Sequence, residues 1–273
     1  MRNYFAGGAY ELGYNIIQNH LIAWIDKREL ETRSKYFNKD SNILIDSGAF
    51  SAFTKGKKIN IDEYVEFIKS FTLEWKNKVN SIYFVNLDSI GNAKESWINQ
   101  EYLDSKGIKT IPVIHQWGFD EKNLIRAIEN YDYFAFGGMV GRKQKIHTMP
   151  WLNKCYSIIG KYYRKNNIMP KIHLLGVASL KILYRYPCFS CDSTAYMSVN
   201  KYGDSKFLKL EKLPKAGLYS NHKGYKNQNK YKYNRKEDHE LLRQVMEYEI
   251  RNYQKQEKEI TEFWKKKGID FEI

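Results

Sequence analysis

Ile43-Leu44-Ile45-Asp46-Ser47-Gly48-Ala49-Phe50-Ser51 is the stretch of this 273-residue chain whose reading decides the fold. Three apolar residues, two of them β-branched, run into a carboxylate, a small-residue turn and an aromatic ring. A run that is apolar on both faces suits a strand of a parallel sheet buried between helices. It predicts a strand that delivers Asp46 at its C-terminal end, with Gly48 letting a ligand approach the backbone. In folds that alternate strand and helix, that end of the sheet carries the chemistry. A strand-end Asp also serves as a helix N-cap, so the neighbouring runs have to decide its role.

Six further strand-like runs end in small or polar residues: Tyr4 to Gly8, Ile82 to Asp88, Thr110 to Gln116, Tyr133 to Gly138, Lys171 to Val177 and Cys188 to Asp192. Helical patterns lie between them. Asp62 to Trp75 has an apolar stripe at Tyr64, Val65, Phe67, Ile68 and Phe71, Asp120 is placed to cap a helix over Lys122 to Asn130, and Trp151 to Asn166 is amphipathic. Strand alternating with helix predicts an α/β fold with parallel strands. No Pro/Gly/Ser-rich linker divides the chain, which favours one (β/α)8 TIM barrel over two doubly wound domains. Lys206 to Leu210 is the candidate for the eighth strand. The expected organisation is a barrel over residues 1–215, a Tyr/Lys/Asn-rich loop over 216–235, and a long helix over 236–273 packed on the barrel through an apolar stripe from Leu241 to Trp264.

With 45 Lys and Arg against 31 Asp and Glu, the net charge is +14, which favours a polyanionic partner, nucleic acid before a membrane surface. The abundance of Lys, Asn, Ile and Tyr is also what an AT-rich coding sequence yields. In the loop, Lys223, Lys226, Lys230 and Lys232 alternate with tyrosines, suiting phosphate contact and base stacking, or a solvated linker. Cys155, Cys188 and Cys191 are too few for a disulfide framework. No apolar run approaches a membrane span and the N-terminus has no signal-peptide pattern, so a cytoplasmic protein is expected.

The strand ends carry groups suited to a purine-like base. Asp46 and Asp88 are acceptors for an N–H edge, Gln116 offers a donor and an acceptor, Gly137-Gly138 bares backbone amides, Phe50 can stack on a ring face, and Asp192 is a third carboxylate. Asp46-Ser47-Gly48-Ala49-Phe50 resembles the Asp-Ser-Gly-Gly-aromatic motif of the tRNA-guanine transglycosylases. Val113 to Gln116 with Phe136-Gly137-Gly138-Met139-Val140 is similar to that family's Gln and Gly-Gly strands. Leu174 to Val177 with Phe189-Ser190-Cys191-Asp192-Ser193 is similar to its Gly-Val and nucleophile strands.

The resemblance covers about residues 1–200. It implies a (β/α)8 barrel that exchanges guanine in a polynucleotide for a 7-deazaguanine, without a cofactor. Asp192 would be the nucleophile and Asp46 the general acid/base. Ser47, Asp88, Gln116, Gly137, Gly138 and Met139 would line the base site, with Phe50 stacked on the base. The tRNA enzymes carry a structural zinc subdomain after the nucleophile. Here all three cysteines precede Asp192, so no zinc subdomain is expected, and Cys188-x-x-Cys191 lacks a second pair. The shorter form resembles the phage DNA-guanine transglycosylases, which protect phage DNA from host restriction. A tRNA enzyme with a trimmed tail, a non-catalytic nucleic-acid-binding barrel and a sugar-processing barrel are the alternatives.

Overall fold

A computed structural model of the chain describes residues 1–7, 13–56, 58–139, 142–197 and 235–271. Within them lie eight strands: β1 (Arg2–Ala6), β2 (Asn19–Ala23), β3 (Asn42–Asp46), β4 (Ser81–Phe84), β5 (Val113–His115), β6 (Tyr133–Gly137), β7 (Lys171–Leu174) and β8 (Ser190–Ser193). They form one parallel sheet in the order β4-β3-β2-β1-β8-β7-β6-β5. Each step along the chain except that from β4 to β5 moves to the neighbouring position, and β8 returns beside β1. Such a succession curls the sheet in one sense and leaves β4 and β5 as its ends.

The concave face is filled by side chains. Tyr4, Leu21, Leu44, Tyr83, Val113, Tyr133 and Phe189, from seven strands or their flanks, share one buried cluster. Tyr83 of β4 meets Tyr133 of β6 edge to face at 5.1 Å, so the two ends of the sheet approach across the core. They also touch directly at a parallel bridge between Val85 and Ile111. There the Ile111 amide donates to the Phe84 carbonyl (2.7 Å) and the Asn86 amide to the Ile111 carbonyl (2.9 Å). Burying each of these large side chains contributes roughly 1.5–3 kcal/mol, so the curl is held mainly by its filling.

Eight α-helices accompany the strands among the described residues: α1 (Lys27–Ser34), α2 (Ala49–Thr54), α3 (Ile61–Trp75), α4 (Ala93–Ser105), α5 (Glu121–Asn130), α6 (Arg142–Asn166), α7 (Leu180–Leu183) and α8 (Arg235–Lys265). The starts of four are fixed by side chains accepting from first-turn amides: Asp26, Asn60, Asn92 and, as its sequence position predicts, Asp120. Among the described residues the β1–β2 connection carries a 3-10 turn at Tyr14–Ile16 and no α-helix, and α7 is a single turn. α8 covers the outer face near β1. Glu257 accepts from the Asn3 amide (2.9 Å) and the Asn19 side chain (3.2 Å), Gln254 donates to the Ile16 carbonyl, and Trp264 Nε1 donates to the Leu183 carbonyl. Val245, Met246, Ile250, Tyr253, Ile260 and Trp264 form its buried stripe, as expected from the sequence.

The eighth strand is where the sequence reading is corrected. The sheet takes it from Asn19–Ala23, and Lys206 to Leu210 lies outside the described residues, as do Lys223, Lys226, Lys230 and Lys232. β2 escapes a hydropathy reading because it opens on Asn19-His20, both buried. Asn19 belongs to a polar network, accepting from Asn42, whose own oxygen accepts from Asn80 and Ser81. His20 packs edge-on against Phe37 at 5.1 Å. No helix among the described residues is long and apolar enough to cross a membrane.

Candidate active site

Strand alternation sets which residues reach the C-terminal end of the concave face. In β3, Leu44 lies in the inner cluster and Ile43 and Ile45 in an outer one, so Asp46 follows Leu44 inward at the strand's end. The chain then turns back on itself. The Gly48 amide donates to Asp46 Oδ1 at 3.0 Å, and Gly48 sits at φ 76°. A Cβ there would lie 2.6 Å from Ile25, so the glycine is required by the turn and by Ile25 packing behind it.

Asp192 is held from two sides. Its Oδ1 accepts from the Gly176 amide (2.7 Å) and lies 3.1 Å from His173 Nε2. No hydrogen bond to its Oδ2 occurs among the described residues. His173 Nδ1 is 2.5 Å from Ser190 Oγ, which is 2.5 Å from the Tyr133 hydroxyl. His173 and Ser190 are fully buried. One polarity satisfies the whole chain: Tyr133 donates to Ser190, Ser190 to Nδ1, and the Nε2–H to Asp192. Every donor then points toward the carboxylate and pins one of its oxygens.

Asp46 lies in a different environment. Burial pushes its carboxyl up to about 6, the Asp192 and Asp88 charges add to this, and the Gly48 amide and His173 oppose it. Asp88 and Asp192 are thus near enough to Asp46 for their charges to act on it. An acid/nucleophile pair needs two carboxyls in unlike surroundings, and Asp46 and Asp192 have them: one raised by burial, the other held by an amide and an imidazole.

Asp88 belongs to the loop after β4 rather than to a strand. Its Oδ2 is 3.1 Å from His115 Nε2, and its Oδ1 is buried without a hydrogen-bond partner. Ser47 Oγ, on a residue 1% exposed, is also without one. Buried polar atoms normally find partners, so these two are candidates for contact with a polar ligand. Gln116 Oε1 accepts from Thr148, and the Gln116 amide donates to the Gly137 carbonyl.

The two glycines have local reasons. A Cβ on Gly137 would lie 2.8 Å from Val113 and 3.2 Å from His115, and one on Gly138, at φ 75°, would lie 2.6 Å from the Trp117 indole. His115 and Trp117 stack at 4.2 Å, and the Gly-Gly pair makes room for that stack. Met139 is buried in the outer core with Phe136 and Trp151, which takes up its side chain. Phe50 stands on α2 and is 64% exposed. Cys155, Cys188 and Cys191 are free and buried in the outer core, their thiols pushed up by burial.

The structure thus sets Asp88 and Asp192 within electrostatic reach of Asp46, with Ser47 next to it in the chain. It adds His173, Ser190, Tyr133 and Trp117, which the sequence reading leaves unassigned. His173 was within reach of that reading, since alternation along β7 turns it to the face opposite its apolar neighbours Ile172 and Leu174. No protein-family model, no curated protein and no solved structure matches this chain.

Proposed function

We propose that the chain is a base-exchange transglycosylase that replaces guanine in DNA with a 7-deazaguanine. The observation that carries this reading is the convergence of three carboxylates with unequal environments at the C-terminal end of an eight-stranded parallel sheet. The Val85–Ile111 seam supports reading the sheet as a closed (β/α)8 barrel whose mouth is the site. The motif resemblance and the +14 charge supply the substrate class.

In this mechanism Asp192 Oδ2 attacks C1′ of the target nucleoside as the bond to guanine breaks. Asp46, whose carboxyl is raised to about 6 and so is still partly protonated just below neutral pH, donates its proton to the departing base. The covalent intermediate retains the sugar on the enzyme. An incoming 7-deazaguanine gives its ring N–H proton back to Asp46 and attacks the same carbon, and Asp192 leaves as carboxylate. Asp88 Oδ1 and Ser47 Oγ meet the polar edge of the base. Each bond broken is replaced, so no energy source is consumed. A base inside a duplex has to be flipped out first.

The choice of DNA follows from the lack of a cysteine cluster after Asp192, where the tRNA enzymes hold zinc. In a phage, such a substitution protects the DNA from restriction. The test is incubation with labelled guanine or a 7-deazaguanine and matched DNA and tRNA, read by nucleoside mass spectrometry. Exchange into DNA is expected. Exchange into tRNA alone would replace this reading by the trimmed tRNA enzyme, and none into either would leave a non-catalytic barrel.

A further inference from the structure

α2 is built with its sizes reversed. Ala49 and Ala52 are buried, at 8% and 5% exposure, while Phe50 and Phe53 are 64% and 61% exposed. A single exposed Phe is ordinary. Two on a six-residue helix, above alanines that take the core-facing positions, form a continuous aromatic surface. Residues three apart share a helix face, with roughly 5–6 Å between their Cβ atoms. The helix begins three residues after Asp46, so the surface starts at the rim of the carboxylate site and runs outward. Lys55 and Lys58 follow, both exposed, and neither joins an ion pair among the described residues. A methyl group added to Gly56, between them, would meet no atom within 4 Å, so this turn stands clear of the body.

We infer that Phe50 and Phe53 form a stacking ledge for single-stranded nucleic acid, with Phe53 holding the base next to the one that enters the site. This rests on the proposed polynucleotide substrate and names how the strand is held beside the target. The chemistry that fits is specific. Aromatic rings stack on any base, but only where the strand is unpaired and its base faces are open. Lys55 and Lys58 lie where the phosphates of such a strand would run. A protein partner would use the same apolar area without needing either the lysines or the nearness to the carboxylates.

The experiment uses fluorescence anisotropy with a thymidine oligomer carrying one guanine. Phe53 is exposed, so its variants should keep the wild-type melting temperature. Phe53→Ala is expected to weaken binding by about 5- to 30-fold, and Phe53→Leu by a similar factor, because leucine keeps apolar bulk without a ring. Phe53→Trp should retain affinity. An abasic nucleotide on one side of the guanine should erase the Phe53→Ala effect. Unchanged affinity in Phe53→Ala, or wild-type affinity in Phe53→Leu, overturns the ledge alone and leaves the base-exchange reading standing. If the wild-type chain does not bind the oligomer, the polynucleotide substrate itself fails and the ledge with it.

Discussion

Replacing Asp192 by asparagine keeps the shape of the side chain and its bond to the Gly176 amide, and removes the negative charge on the free oxygen. Exchange should fall by several orders of magnitude while polynucleotide affinity stays within about twofold. A denaturing gel should show a covalent enzyme–DNA adduct with the wild type; an adduct of equal yield in Asp192→Asn would remove Asp192 as nucleophile. Asp46 gives a prediction that needs no substrate. A carboxyl raised to about 6 in the folded chain binds its proton more tightly there than when unfolded. Its contribution to stability is therefore intact below pH about 4 and is lost as the pH rises through about 6, on the order of 2–3 kcal/mol in all. Asp46→Asn should lack that loss. Urea denaturation at pH 4 and pH 7.5 measures it: the variant should gain on the wild type at the higher pH, and a constant gap would mean that Asp46 is not held as described.

At the scale of elements, α8 covers the outer face near β1, and it does so with directional bonds as well as apolar area. Trp264→Ala removes a buried indole and its bond to the Leu183 carbonyl. It should cost about 3–5 kcal/mol by chemical denaturation, with Trp264→Phe intermediate. A loss under about 1 kcal/mol would mean that α8 is not integral to the fold. This helix was legible in the sequence because its stripe repeats over many turns from Val245 to Trp264. β3 was legible for the opposite reason: five consecutive residues buried or nearly so leave no periodicity but a plain apolar run. β2 was not, because its polar residues are buried through partners distant in sequence, Asn42 and Glu257, which no local pattern contains. The same holds at the site. Asp46 and Asp192 could be picked out as strand-end carboxylates, whereas the Tyr133–Ser190–His173 chain exists only because β6, β7 and β8 lie side by side. The Gly-Gly pair was legible as special but its reason was not, since the atoms that demand it belong to Val113, His115 and Trp117.

For the whole molecule, the +14 charge makes a quantitative claim on how it meets its substrate. Any polyanion that it binds displaces counterions from the phosphates it neutralises, so affinity must fall with salt. On a single strand each phosphate contact contributes roughly 0.7 to the slope of log K against log salt. The sequence concentrates candidates in one place: Lys223, Lys226, Lys230 and Lys232 fall within a tyrosine- and asparagine-rich segment between the sheet and α8. If all four contact phosphate, replacing them with glutamine should flatten that slope by about 3 and leave affinity for a free 7-deazaguanine unchanged. The comparison separates two ways in which a basic protein holds nucleic acid. A slope that drops by that amount assigns the contact to this segment. An unchanged slope assigns it elsewhere on the basic surface, and the role proposed for these lysines is then wrong. Run on matched single-stranded DNA and tRNA, the titration also bears on the substrate, because a segment that follows a phosphate backbone without reading the outline of a folded RNA should lose affinity for both in parallel. Base exchange, which needs the target nucleoside at Asp192, should remain confined to DNA.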